Sequence, residues 1–247
     1  MDAVEKFKKN NYALFSPHLK EWNGFIFLNL SDNPPDFESE YKSIINRFSE
    51  WGIKQLITID YKTYNVNCNW KLIIQNYSEC YHCPIIHKSL ANITPYTRGR
   101  NDLTSGAFLG GFMEMNTESV TLDGKLSGIS FENLSDNNLK RVYYYTLFPN
   151  MLLSLHPDYI MFHTVWPISP QKCQVNCSWL FLEEVKNNSY YQPMQAIKFW
   201  DQTNLEDWEI CEKSQLGIGS SKYQPGPYSG QESLLAAFDK YYLYILN

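Results

Sequence analysis

The residues with the most evident chemistry lie in Glu79-Cys80-Tyr81-His82-Cys83-Pro84-Ile85-Ile86-His87, where two imidazoles stand five positions apart. On a regular α-helix five residues turn the direction by about 140°, which would point the two rings away from each other. Pro84 lies between them and cannot continue a regular helix. A broken backbone lets both rings turn toward one point. Two imidazoles and one carboxylate on one face make a non-haem ferrous site, with positions left open for oxygen and substrate.

The third ligand must come from elsewhere in the chain, and Asp207 is the candidate. On a helix through Trp200, Asn204, Asp207 and Cys211, seven residues make nearly two turns, so Asp207 projects almost where Trp200 does. Glu206, Glu209 and Glu212 point away from that line. An unpaired carboxylate on an inward stripe is costly, and a cation removes the cost. The bland readings stand beside this one. A histidine is more often a satisfied core or surface residue than a ligand, and an inward aspartate is often capped by an arginine or a tyrosine hydroxyl. By itself the spacing leaves both readings open.

Other candidates carry less. His18 reads as a surface residue, His156-Pro157-Asp158 as a turn, and His163 as a strand residue in the core more readily than in a pocket. Ser154 and Ser178 lack a nucleophile elbow, and Gly110-Gly111 is too sparse for a phosphate loop. Tyr143, Tyr145, Phe162, Trp166 and Trp179 would suit a cage for a trimethylammonium head, although sheet core is the stronger reading for each. Cys80 and Cys83 spell C-x2-C without the βαβ context of a redox dithiol or the second ligand pair of a zinc site. They read as two free thiols beside the histidines.

The elements that must position these groups follow from periodicity and turn signals. Residues 23–30 read as one strand, ended by the Asp/Asn/Pro cluster at 32–36, which is the best candidate for a domain boundary. A short helix is predicted at 38–51 and a strand at 55–67. A helix at 69–82 has Trp70, Ile73, Ile74 and Tyr77 on one side and is interrupted by Pro84. Strands at 106–115, 140–148, 150–155, 158–167 and 173–184 have the even spacing of an antiparallel meander. A long helix at 191–216, stopped by Gly217, and a terminal helix at 231–246 complete an α+β fold, an antiparallel sheet wrapped around long helices.

Composition bounds the rest. The chain has 247 residues, 44% of them apolar, enough for one large core. A net charge of −5 and the lack of a basic run weigh against nucleic-acid binding. No apolar run is long enough to span a membrane, and the opening MDAVEKFKKNN has no apolar signal segment. Six cysteines spread over this length suit a reduced, cytoplasmic protein better than a disulfide scaffold.

Asn69-Trp70-Lys71-Leu72 followed by Asn76, Glu79, His82 and His87 resembles the iron-binding signature of the large (alpha) subunits of Rieske-type non-haem iron, aromatic-ring-hydroxylating oxygenases. Glu206-Asp207-Trp208-Glu209, Gln215-Leu216-Gly217, Tyr223, Pro225-Gly226-Pro227-Tyr228 and Glu232 are similar to the end of that family's chain. Both motifs are similar in style to the branch acting on quaternary ammonium compounds such as choline, glycine betaine and carnitine. The resemblance implies a helix-grip, START-like catalytic domain over 32–247, with 1–31 as the C-terminal remnant of a Rieske domain, since Trp22-Asn23-Gly24-Phe25-Ile26-Phe27 is similar to the stretch that closes that domain.

The resemblance also implies roles. His82, His87 and Asp207 would bind Fe(II), Asn76 would lie near the iron, and Glu79 would couple His82 to a cluster ligand on a neighbouring subunit. Gln75 departs from the family pattern, where this branch has an acidic residue, and puts a charge beside the ligands in doubt. The reaction implied is O2-dependent hydroxylation or oxidative demethylation in a homotrimer fed by a reductase from NAD(P)H. The 2Fe–2S cluster is held by C-x-H and a later C-x2-H. Cys80-Tyr81-His82 fits the first by letters, but no C-x2-H follows, so the chain is expected to begin after the cluster ligands and to turn over only with that domain restored or with peroxide. Two rivals are a metal-free ligand-binding module of the same fold and an interaction subunit of an oxygenase oligomer.

Overall fold

The computed structural model describes residues 5–246, which divide into two compact units, one ending at Asn46 and the other beginning at Arg47. In the first, β1 (His18–Trp22) and β2 (Phe25–Asn29) form an antiparallel hairpin rather than the single strand expected at 23–30. Asn23 and Gly24 both have positive φ, 50° and 87°. That is the Asn-Gly hairpin turn, a signal the strand reading passed over. Trp22 donates from its indole to the carbonyl of Ile45 at 3.2 Å, and Phe27 packs on Phe37 and Tyr41. The helix expected at 38–51 is reduced to α1 (Phe37–Glu40), capped by Asp36, then turns and a short 3-10 segment at Ser49–Trp51. The turn-rich cluster at 32–36 lies inside this first unit.

The second unit is built on a seven-stranded antiparallel sheet. Its strands are β3 (Ile57–Val66), β4 (Gly99–Thr104), β5 (Phe108–Glu114), β6 (Arg141–Leu147), β7 (Met151–Leu155), β8 (Ile160–Ser169) and β9 (Lys172–Phe181), in the order β3-β9-β8-β7-β6-β5-β4. Strands β5 to β9 run as the expected meander, and β3 closes beside β9. Strand β4 is unforeseen, because Gly99-Arg100-Asn101-Asp102 carries no apolar alternation. It pairs with β5 by register, with a shift between Asn101 and Leu103.

The helices are α2 (Trp70–Tyr77), α3 (Cys83–Ile86), α4 (Lys88–Ile93), α5 (Met194–Ile218) and α6 (Ser233–Leu246). Asn69 caps α2 by accepting from the Lys71 amide. Helix α2 ends at Tyr77, five residues before the predicted end. Helix α5 continues through Gly217 and is capped at Gly219. The start of α5, with Ala196, Ile197, Phe199 and Trp200, packs with Tyr159, just before β8, and with Trp179 and Phe181 of β9. Its second half, with Trp208 and Cys211, joins Ile73 and Ile74 of α2, Phe238 of α6, and Val165 and Val175. Each large apolar side chain removed from water in this way contributes about 1.5–3 kcal/mol. The sheet therefore grips α5 along its length, which fixes where Asp207 points.

Candidate metal centre

His82 and His87 sit at the two ends of one short helix. His82 immediately precedes α3 and His87 follows it, with φ −112° and ψ 68° outside the helical region. Pro84 is in the first turn of that helix, where its missing N–H costs nothing. The divergence expected on a continuous helix is thus avoided, because α2 has already ended and α3 is a single turn. The Nε2 atoms of the two rings lie 3.2 Å apart.

Asp207 reaches the same point from α5. Its Oδ1 lies 2.8 Å from Nε2 of His87 and 3.4 Å from Nε2 of His82. Trp200, two turns earlier, lines the same cavity, as the helical spacing predicts. With metal–donor distances near 2.1 Å, donors on one octahedral face stand about 3.0 Å apart and those of a tetrahedron about 3.4 Å. Two of the observed separations fall short of the tetrahedral value and the third equals it. Two nitrogens and one carboxylate oxygen within this reach could hold a metal ion.

The partners behind the rings fix their tautomers. His82 donates from Nδ1 to Oε1 of Glu79 at 2.5 Å, and Oε2 of Glu79 accepts from the amides of Tyr81 and His82. His87, 2% exposed in its side chain, donates from Nδ1 to Oε2 of Glu206 at 2.8 Å. A carboxylate only accepts, so both Nδ1 atoms carry hydrogen and both Nε2 atoms are left for the shared point. Glu206 had been expected to point away from the stripe. The ring of His87 reaches far enough around α5 to meet both Glu206 and Asp207. Adjacent acidic residues beside a candidate ligand were the sequence signal. Glu209 does point away, to Lys213, and Glu212 accepts from Asn67.

Asn76 donates to Oδ1 of Asp207 at 2.5 Å. Gln75 instead reaches Asp239 of α6 at 3.3 Å. Burial disfavours charge on His82, but hydrogen bonds to Asp207 and Glu79 outweigh it and lift its pKa to about 9. Burial works against the Asp207 carboxylate as well, and the two imidazoles overcome it, holding the group down at about 2. A divalent cation bound at the shared point would take the place of any proton on Nε2.

Several expectations are corrected here. Cys80 and Cys83 are joined as a disulfide, not free thiols. The turn between them, closed by the Cys83 amide on the Cys80 carbonyl, brings their Cα atoms to 5.0 Å, within disulfide reach. The aromatic cage is built from other residues. Tyr143 and Tyr145 face the opposite side of β6, against Trp51 and Phe48. Trp179 is core, Trp166 is exposed, and none of the five suggested residues lines the cavity. Its aromatic walls include Tyr77, Tyr144 and Trp200 around about 470 Å3, a volume suited to a small ligand. His163 is buried against Asn204 at 3.1 Å, and burial lowers its pKa to about 4. His156 sits at the β7–β8 turn, fully buried and stacked on Tyr159.

Residues 53–247 match the family model of the ring hydroxylating alpha subunit, catalytic domain. The chain belongs to this family. It is 27% identical over 264 aligned positions to the oxygenase subunit of glycine betaine monooxygenase from Pseudomonas aeruginosa, an alignment covering 90% of this chain and 59% of that one. It is 22% identical over 241 positions to the chloroplastic choline monooxygenase of Arabidopsis thaliana, covering 93% of this chain and 54% of that one. A solved quaternary ammonium Rieske monooxygenase superposes with a TM-score of 0.78 at 18% identity, over 96% of this chain and 64% of that one. Naphthalene 1,2-dioxygenase from Rhodococcus sp. gives 0.70 at 14% identity, over 93% and 66%. The alpha-subunit chain thus spans 54% to 66% of these relatives, and the sheet-and-helix fold expected for it is the one found. Among the described residues no helix is long and apolar enough to cross a membrane.

Proposed function

We propose that this alpha-subunit domain holds one Fe(II) through His82, His87 and Asp207 and oxygenates a small quaternary ammonium compound in the cavity beside it. The observation that carries the reading is the convergence of Nε2 of His82, Nε2 of His87 and Oδ1 of Asp207, each histidine backed by its own glutamate. Bound iron supplies the activation of O2 for hydroxylation, with loss of a methyl group as aldehyde where the carbon hydroxylated is attached to nitrogen. Glu79 and Glu206 keep both Nε2 atoms unprotonated once a cation is present, and Asn76 steadies Asp207. Tyr77, Tyr144 and Trp200 line the chamber with aromatic rings whose faces attract a cationic head.

The names of the relatives point to the same chemistry, since they act on glycine betaine, choline and carnitine. Electrons would come from a 2Fe–2S cluster and an NAD(P)H-linked reductase, within a trimer of cytoplasmic subunits. The test is anaerobic loading with Fe(II) of the wild-type chain, His82→Ala and Asp207→Ala. One iron per wild-type chain, lost in both variants, is the expected result. A well-folded wild-type chain that binds no iron would overturn the reading and favour a metal-free ligand-binding module.

A further inference from the structure

The disulfide between Cys80 and Cys83 closes a four-residue loop, Cys80-Tyr81-His82-Cys83, with His82 inside it. The other cysteines, Cys68, Cys173, Cys177 and Cys211, are buried and free. Sγ of Cys83 lies 4.0 Å from Nε2 of His82, the atom turned to the shared donor point. Both sulfur-bearing residues line the same cavity as His82, His87 and Asp207. Cys83 is 3% exposed, whereas Cys80 is half-buried.

The backbone brings positions 80 and 83 together without help from the sulfurs. The Cys83 amide donates to the Cys80 carbonyl at 3.2 Å, and α3 starts at Cys83. Glu79 accepts from the amides of Tyr81 and His82. A pair held this way can pass between two thiols and a disulfide with no change of fold. Hydrogen peroxide oxidises a thiol to a sulfenic acid, and a second thiol within reach condenses with it to a disulfide. A centre that activates O2 releases peroxide whenever oxygen is reduced without substrate being oxygenated, and imidazole ligands beside it are open to oxidation.

We infer that Cys80 and Cys83 form a peroxide-reducing dithiol site that protects His82, and that the structure shows its oxidised form. Cys80, the more open of the two, meets the peroxide. Its sulfur bonds to one peroxide oxygen, the O–O bond breaks, and one water leaves. Cys83 then bonds through its sulfur to Sγ of Cys80, and the sulfenic hydroxyl leaves with the Cys83 proton as a second water. One peroxide has taken two electrons from two thiols. A small dithiol reductant returns two electrons and two protons and reopens the pair. The inference rests on the proposed function for the role of His82 as a ligand, but its sulfur chemistry is tested without metal.

The experiment starts from chain reduced with dithiothreitol, desalted anaerobically and counted for thiols in denaturant, where six are expected. An equimolar dose of hydrogen peroxide on the metal-free wild-type chain should leave the four buried ones, with peptide mapping placing the new disulfide at Cys80–Cys83. In Cys83→Ser, dimedone should trap a sulfenic acid on Cys80. With Fe(II) added, peroxide should oxidise His82 more in Cys80→Ser and Cys83→Ser than in wild type, read by mass spectrometry. A wild-type chain that keeps all its thiols, or loses them at other cysteines, would overturn the inference, and that result needs no variant to fold. Equal oxidation of His82 in wild type and both variants would remove the protective role. If the wild-type chain forms the Cys80–Cys83 disulfide yet holds no iron, the oxygenase reading fails and the dithiol site stands.

Discussion

Oε2 of Glu206 lies 2.8 Å from Nδ1 of His87, on the face of the ring turned away from the shared donor point. The next residue of α5, Asp207, meets Nε2 of the same ring, also at 2.8 Å. One ring is thus clasped by two consecutive carboxylates, one to orient it and one to share its cation. Gln202, one turn earlier, donates to the second oxygen of Glu206 at 3.0 Å and holds that carboxylate in place.

Removing this orienting group should weaken metal binding without removing a ligand. Glu206→Ala is expected to lower Fe(II) affinity about 10- to 100-fold, read by anaerobic titration against a competing chelator. Glu206→Gln keeps an accepting oxygen and should lose less. Equal affinity in wild type and Glu206→Ala would show that His87 is positioned by packing alone.

The pKa of His82 sets a pH window. Its folded value of about 9 lies above the ordinary value of about 6.5. The stability it contributes to the metal-free chain is therefore fully present below about pH 6.5 and is lost as pH rises through about 9. Over the same interval Fe(II) affinity should rise, because fewer protons must leave Nε2. Urea unfolding of metal-free chain and iron titration, each at pH 6.5 and pH 9, should move in opposite directions. A parallel movement would place the proton elsewhere.

Gly110, on β5 at the cavity wall, has φ +152°, and an added Cβ would collide with the backbone carbonyl of Tyr144. Gly110→Ala should destabilise the fold by about 1–3 kcal/mol, measured as a lower urea midpoint. An unchanged midpoint would mean that β5 can shift away from β6 without loss. The pair Gly110-Gly111, too sparse for a phosphate loop, is explained by close approach on both sides of β5, Gly110 to Tyr144 of β6 and Gly111 to Arg100 of β4.

Much of the molecule was legible from residue order alone. Alternation and turn residues marked β3 and five strands of the meander, because half-buried antiparallel strands leave that pattern. Helical spacing put Trp200 and Asp207 on one stripe, and both line one cavity. Spacing left a metal and a bland reading of the two histidines and the aspartate open, and the resemblance to a known family singled them out; their donor atoms do lie close together. Tertiary structure decided the rest. Glu206 became a partner of His87 because a ring approaching α5 from another segment spans more of its surface than an ideal stripe allows. The cavity received Tyr144 instead of Tyr143 and Tyr145 because the register of β6 sets which of three consecutive tyrosines faces inward, and a slip of one residue would have reversed the choice. The Asn-Gly hairpin, the early end of α2 and the polar strand β4 were fixed by turns and by pairing with neighbours, where local propensity is weak. Sequence thus determined which groups were available, and packing determined which of them meet, because direction in space depends on contacts between segments far apart in the chain.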